Sequence, residues 1–170
     1  MGRWCLRRES LLAMDEQSPL NHSVGNEPMV TLWTSAIPML GKIAEHHWLV
    51  ISDQGSHTRW EVWQSANVIC NDIGESWDHL HRDLLPPEQG VGNGPAYKLC
   101  AWLDDDARYL IDRITTSPQR YPWCSQYRYW PGPNSNTYIQ WILLGMHTLG
   151  RKGLGKRYCW FDREPDNRMA

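Results

Sequence analysis

Phenylalanine is almost absent from this 170-residue sequence, which contains 1 Phe against 11 Trp and 7 Tyr. Trp and Tyr bury a large apolar body but keep a polar group, so they suit wet grooves and interfaces as well as cores. Two interpretations of the aromatic residues stay open, a Trp-rich core and a groove whose rings stack on a sugar. The core is the commoner use of such residues.

The sequence also lacks a strong charge of one sign and a long apolar run. Its formal net charge of −2 argues against a nucleic-acid-binding surface. No segment approaches the roughly 20 apolar residues of a membrane helix, and Leu11-Leu-Ala-Met14 is too short for a signal-peptide core. We therefore expect a soluble protein of the cytoplasm or the cell envelope, with no nucleic-acid partner.

Closely paired metal ligands are lacking as well. The five cysteines are odd in number and widely spaced, and none forms a CxxC pair. The pattern predicts free, mostly buried thiols rather than a zinc site or a disulfide framework. His79-Leu-His81 has a spacing that metal ligands use, but a site needs three convergent ligands. We expect no metal and no cofactor.

Segment composition predicts one domain between two loose ends. Residues 1–28 are basic at their start and then rich in turn formers, which predicts a flexible N-terminal arm. Residues 29–160 form the predicted single domain, and residues 161–170 a loose, polar tail.

Alternating apolar residues predict several strands within the domain. The strands are expected at 29–33, 45–52, 58–64, 66–70, 97–102 and 125–130, with a hairpin turn at Asp53-Gln-Gly-Ser56. Helical spacing predicts helices at 75–85, from a cap at Asp104 or Asp105 to Ser117-Pro118, and at 135–147. Strands and helices do not alternate strictly, so we predict an α+β fold with an antiparallel sheet packed against helices. The predicted core contains Leu49 or Val50, Trp60 or Val62, Leu110, Ile114, Trp141 and Ile142.

The most informative stretch is Trp130-Pro-Gly-Pro-Asn-Ser-Asn-Thr-Tyr138, which a helix follows. Two prolines and a glycine impose a stiff turn, and four short polar residues then stand where a helix needs one cap. Free backbone N–H groups and the helix dipole favour an anion or a developing oxyanion there. The alternative is a well-capped helix without a further role.

A nucleophile at a helix N-terminus needs a base, most often histidine. His46 and His47 are neighbours in one predicted strand, so they must point to opposite faces of the sheet. One of them is expected to face the core or a cleft, and the other solvent or a covering element. A strand histidine is more often structural than catalytic.

Four blocks of the sequence resemble a bacterial family of unknown function. They are His46-His-Trp-Leu-Val, Trp60-Glu-Val62, Tyr127-Arg-Tyr-Trp-Pro-Gly-Pro-Asn-Ser-Asn-Thr-Tyr138 and Gly155-Lys-Arg-Tyr158. Members of that family carry a similar HTW strand, a YEV strand, a WPGPNSNT turn and a terminal GKDY, and the resemblance spans about residues 29–158. Many members carry an N-terminal membrane segment. Here membrane association is expected only if an upstream segment is missing from the sequence.

The pattern is also similar, more distantly, to the circularly permuted papain-like superfamily of NlpC-type peptidases and lecithin:retinol acyltransferase-like proteins. The resemblance implies that His46 is the base and that Ser135 stands in the place of the nucleophilic cysteine. The sequence departs from the superfamily at this atom. A thiol beside a histidine and a helix dipole ionises readily, whereas a serine must lose its proton during attack.

The remaining site residues are assigned by role. Glu61 is the first choice to orient His46, and His57 is the second. Cys124 is a rival nucleophile, but no helix N-terminus lies behind it, so a structural role is favoured. The expected substrate-binding residues are Asn134, Asn136, Thr137, Trp130 and Lys156, with both asparagines as candidate oxyanion donors.

Two functions remain open at this point. One is a serine-dependent amide or ester hydrolase or acyltransferase of the permuted papain-like type, acting on a small-molecule, lipid or peptide substrate. The alternative is a catalytically silent relative that binds a ligand or partner through the same Trp/Tyr-lined cleft. The sequence leaves the oligomeric state open.

Overall fold

The fold is taken from a computed structural model, which describes residues 27–69 and 73–161. Within these residues, six strands form one antiparallel sheet in the order β4-β5-β3-β2-β1-β6. The strands are β1 Met29–Ala36, β2 Glu45–Asp53, β3 Ser56–Val62, β4 Glu75–Trp77, β5 Leu80–Arg82 and β6 Ala96–Trp102. The helices are α1 Asp104–Thr115, α2 Ser117–Arg120, α3 Ser135–Leu143 and α4 Tyr158–Phe161.

Helices α1 and α3 pack against one face of the sheet, and the main core lies between the helices and that face. The predicted α+β class with an antiparallel sheet is therefore confirmed. The predicted core residues Leu110, Ile114 and Ile142 are fully buried. Trp141 is an exception, because it is only half-buried and its ring carries the Arg113 guanidinium 4.9 Å from its centroid.

The β2–β3 hairpin forms where the sequence predicts it. Asp53 pairs with Ser56 across a two-residue turn. The turn residues Gln54 and Gly55 have φ angles of 46° and 77°, the left-handed values that a type I′ turn requires. The hairpin brings the second residue of β2, His46, next to the end of β3.

Three predicted elements are wrong. Residues 75–85 form the short β4–β5 hairpin rather than a helix, because Trp77 pairs with Leu80 across it and stacks on Trp60 at 5.6 Å. This packing overrides a weak helical spacing. Residues 66–69 and 125–130 form loops rather than strands.

Two helix termini also differ from expectation. The N-cap of α1 is Leu103, without a side-chain cap, so Asp104 and Asp105 act within the first turn, where acids suit the dipole. Helix α3 ends at Leu143, because Leu144 adopts a left-handed conformation with φ of 33°.

The cysteines divide into two groups. The Cys124 and Cys159 thiols are in no disulfide, as expected, but Cys100 is disulfide-bonded, so the expectation of free thiols is wrong for it. Cys5 and Cys70 lie outside the described residues, as do most of the predicted arm and tail. In the described part of the chain, no helix could cross a membrane and no three metal-ligating side chains converge.

The second face of the sheet carries a small cluster built on Trp48. Trp33 stacks on it at 6.3 Å, and the Arg59 guanidinium lies 4.1 Å from the Trp48 ring centroid. The Trp48 indole N–H donates to the carbonyl of Pro87, and Arg59 Nη1 donates to that of Pro86. These bonds fix the loop at 83–94 over this face of the sheet. The loop forms one wall of a cavity at the end of the sheet.

Candidate functional site

A cavity of about 730 Å³ lies at the end of the sheet where β2 begins and β3 ends. Its walls come from four loops, at 37–40, 63–65, 85–92 and 127–129, and from the N-terminus of α3. The polar residues that line it include His46, Arg59, Glu61, Gln64, Ser65 and Ser135.

A buried chain of polar side chains runs along one wall. His46 Nε2 lies 2.7 Å from Glu61 Oε2, which also accepts a bond of 2.9 Å from Arg59 Nη2. Arg59 Nε lies 2.6 Å from the other Glu61 oxygen, so the guanidinium faces both carboxylate oxygens. Alternation explains the cluster, because Arg59 and Glu61 are two residues apart on β3 and share the sheet face of His46.

The charge state of Glu61 determines the tautomer of His46. Burial raises the Glu61 pKa, but the hydrogen bond from His46 and the charge of Arg59 more than offset this and lower it to about 2. Glu61 is therefore an anion that only accepts hydrogen bonds, so His46 Nε2 carries the proton. The neutral ring then has its lone pair on Nδ1, where it can act as a base.

Ser135 is the first residue of α3, and Asn134 is its N-cap. The Asn134 side chain accepts from the backbone N–H groups of Asn136 and Thr137. The backbone N–H and the hydroxyl of Ser135 are in no hydrogen bond within the described part of the chain, although the residue is only 5% exposed. Both groups are therefore available at the positive end of the helix dipole.

His47 faces the opposite side of the sheet, against α3. Its Nδ1 lies 2.8 Å from Asn136 Oδ1, while Asn136 Nδ2 donates to the carbonyls of Glu45 and Leu154. Because the amide nitrogen is the donor in those two bonds, Oδ1 is the acceptor and His47 Nδ1 carries a proton. This bond fixes the first turn of α3 to β2, and so it sets the position of Ser135.

Burial lowers the pKa of His47 from 6.5 to about 4, so the buried ring stays neutral where the unfolded chain is protonated. We therefore expect the contribution of the neutral His47 ring to the free energy of unfolding to be complete above pH 6.5. The free energy of unfolding should fall by roughly 3 kcal/mol as the pH drops to about 4. His81 and His147, whose pKa values are also lowered by burial, add to the loss. Urea melts at several pH values across this range should show that the free energy of unfolding depends less steeply on pH in His47→Gln, whereas the exposed His57→Gln control keeps the wild-type dependence. The same pH dependence in all three proteins would contradict the assignment of the loss to His47.

The structure brings His46 and Ser135 to the same cavity without joining them directly. No hydrogen bond between them is present among the described residues. The reason is that neighbouring residues of a strand point to opposite faces of the sheet. His47 faces α3, so His46 points to the opposite face and reaches the cavity at the end of the strand. Catalytic hydrogen bonds are often long before substrate binds.

The other predicted site residues lie elsewhere. Thr137 completes the capping box, and the Asn134 and Asn136 side chains bind backbone groups. Lys156 Nζ donates to the carbonyls of Leu149 and Gly150, and Trp130 is exposed. None of these five is among the residues that line the cavity.

The two alternative side chains are engaged in other bonds. His57 Nδ1 lies 2.8 Å from Ser52 Oγ on the exposed hairpin. Cys124 Sγ donates to the carbonyl of Trp77. Arg59, Tyr127 and Tyr129 line the cavity but are not among the predicted site residues. For Arg59 a signal exists, because its period-2 spacing from Glu61 on one strand indicates that the two side chains share a face.

Comparison with known proteins gives one family. The family model described as Protein of unknown function (DUF3750) matches residues 27–158, which is most of the chain. No curated protein and no solved structure matches it.

Proposed function

This chain belongs to DUF3750, a family of unknown function, and we propose that it is a serine-dependent hydrolase or acyltransferase acting on an amide or ester. The observation that carries the proposal is a shared cavity, in which an ionised Glu61 orients His46 and Ser135 offers an unpaired hydroxyl at a helix N-terminus. Nucleophile, base and orienting acid are the three groups that such chemistry needs. The proposal includes the permuted papain-like arrangement inferred from the sequence.

In the proposed reaction, Ser135 Oγ attacks the carbonyl carbon and its proton passes to His46 Nδ1. Glu61 stabilises the imidazolium, and the free backbone N–H of Ser135 donates to the oxyanion. The bond to the leaving group then breaks, and the leaving amine or alcohol takes the proton from His46. Water, or the hydroxyl of an acceptor, attacks the acyl-serine by the same steps in reverse.

Substrate binding is proposed for the cavity walls rather than for the residues that cap α3. Tyr127 and Tyr129 line the cavity together with Ile37, Leu40, Leu85 and Val91. These walls are largely apolar and carry a few polar groups, which is the usual character of a site that binds an organic group and fixes its orientation. They suit an acyl group with an apolar chain.

A serine-directed fluorophosphonate tests this function. The wild type should be labelled, and Ser135→Ala should lose the label, because phosphonylation needs the activated hydroxyl. Ser65→Ala is the matched control, since Ser65 lines the same cavity but lies outside the proposed triad, and it should label like the wild type. Equal labelling of wild type and Ser135→Ala would refute the proposal.

A second function is favoured by one observation, the absence of a direct bond between His46 and Ser135 within the described residues. In this alternative, the chain is a catalytically silent relative that binds a ligand in the same cavity. It predicts no labelling of the wild type, together with saturable binding of an apolar ligand.

A further inference from the structure

Two exposed apolar segments flank the mouth of the cavity. We define the cavity rim as residues 37–43 and 128–130. Leu40 from the first segment and Tyr129 from the second line the cavity, so both segments border it. Around them, apolar side chains face water: Met39 is 103% exposed, Ile43 61% and Trp130 71%. Exposed apolar groups concentrated at a site entrance mark an interaction surface.

The rim is basic, against the net charge of −2 of the whole chain. Lys42 and Arg128 are exposed, and neither segment of the rim contains an acidic residue. Within the described residues, no ion pair involves Lys42 or Arg128. Their charges are therefore free to meet an anionic partner.

A further cation adjoins the first segment. Lys152 donates to the carbonyl of Gly41, and its own carbonyl accepts from the N–H of Glu45, so the chain at 151–152 lies beside the rim. Glu45 pairs with Lys152, whereas Arg151 is exposed and makes no ion pair among the described residues. The loop at 83–94 contributes Leu85 and Val91 to the cavity wall, and between them it carries one acidic residue, Glu88.

An anionic lipid surface fits this combination. Trp and Tyr are favoured at the membrane interface, apolar side chains insert below it, and Lys and Arg are attracted to anionic headgroups. A second copy of this chain fits less well, because a two-fold contact through the rim would bring like charges together.

We propose that the cavity rim docks on an anionic lipid bilayer and that the cavity takes an acyl-bearing amphiphile from it. The substrate class rests on the proposed hydrolase or acyltransferase function, whereas the docking does not. Leu40 and Tyr129 belong to both the rim and the cavity, so an acyl chain leaving the bilayer meets apolar walls that continue toward Ser135.

Vesicle flotation tests the docking. The wild type should float with phosphatidylcholine vesicles that contain phosphatidylglycerol, and at least tenfold less with phosphatidylcholine alone. Met39→Asp/Ile43→Asp should reduce flotation at least tenfold, because two charges replace the inserting side chains. Lys42→Gln/Arg128→Gln should lose about fivefold for each removed charge. Ile69→Asp is the matched control, since Ile69 is 90% exposed and lies outside the rim, and it should float like the wild type.

The outcomes separate docking from catalysis. Ser135→Ala should float normally, and Met39→Asp/Ile43→Asp should keep its labelling by a water-soluble fluorophosphonate, because neither residue lines the cavity. No flotation of the wild type, or equal flotation of the wild type and the rim variant, would overturn the docking and leave the proposed function standing. A rim variant that dissociates a wild-type oligomer in sedimentation, without any vesicle binding, would show that the rim is a protein interface.

Discussion

Replacing His46 by alanine is expected to slow the phosphonylation of Ser135 by about 10²- to 10⁴-fold, the usual contribution of a positioned general base. His46 Nε2 donates to the ionised Glu61, so in the proposed mechanism the lone pair on Nδ1 accepts the serine proton. Without it, the hydroxyl must transfer its proton to water. The rate is measured by timed fluorophosphonate labelling.

Two controls separate this effect from a structural one. His57→Ala removes an exposed histidine that binds Ser52, and it should label at the wild-type rate. Added imidazole should partly restore labelling of His46→Ala, because a small base can enter the space left in the cavity. An unchanged labelling rate in His46→Ala would eliminate His46 as the base. If His46→Ala is unfolded and imidazole does not restore its labelling, His46 has a structural role instead.

The largest effect on stability is expected at the Arg59–Glu61 pair. Glu61→Leu leaves the guanidinium of Arg59, whose side chain is 0% exposed, without its carboxylate. Removing one partner of a buried pair costs about 3–5 kcal/mol in free energy of unfolding, because the remaining charge stays desolvated. Arg59→Met should cost a similar amount, since it also removes the bonds to the carbonyls of Pro86 and Gln89.

A double-mutant cycle tests whether these effects share one cause. Arg59→Met/Glu61→Leu should cost about 2 kcal/mol less than the sum of the single variants, because neither charge is then left alone. Arg82→Met is the comparison, since Arg82 pairs with Glu75 at 2.8 Å at a partly exposed site and should cost about 1 kcal/mol or less. Additive costs in denaturant melts would contradict a coupled buried pair.

The parts of the fold that local chemistry determines could be predicted from the sequence. The β2–β3 hairpin follows from its turn and its alternation, and the Asn134 cap follows from short polar side chains before a helix. The β4–β5 hairpin was missed because stacking between Trp60 and Trp77, which are distant in sequence, decides it. No local pattern reports such a contact.

The candidate site divides in the same way. The shared face of His46 and Glu61 follows from period 2 and the hairpin register. The position of Ser135 does not, because it depends on the bond between His47 and Asn136, which joins residues 89 apart in sequence. That same bond explains why Asn136 serves the fold instead of facing the cavity.

Because the proposed nucleophile is a serine rather than a cysteine, the distance between Ser135 and its base becomes critical. A thiolate forms beside a histidine without help from substrate, but a serine hydroxyl must transfer its proton as it attacks. The proposed mechanism therefore requires His46 and Ser135 to come within hydrogen-bonding distance in the reacting complex, although they reach the cavity from opposite faces of the sheet. Movement of the α3 N-terminus is restrained by the His47–Asn136 bond, so we expect the approach to come from the side chains.

The most direct test of the catalytic site is to identify the residue that carries the phosphonate after reaction. The wild-type protein is treated with a fluorophosphonate, digested, and analysed by tandem mass spectrometry. We predict a single adduct, on the peptide that contains Ser135, at a stoichiometry approaching one per chain. An adduct on any other side chain, or no adduct at all, would contradict the assignment of Ser135 as the nucleophile.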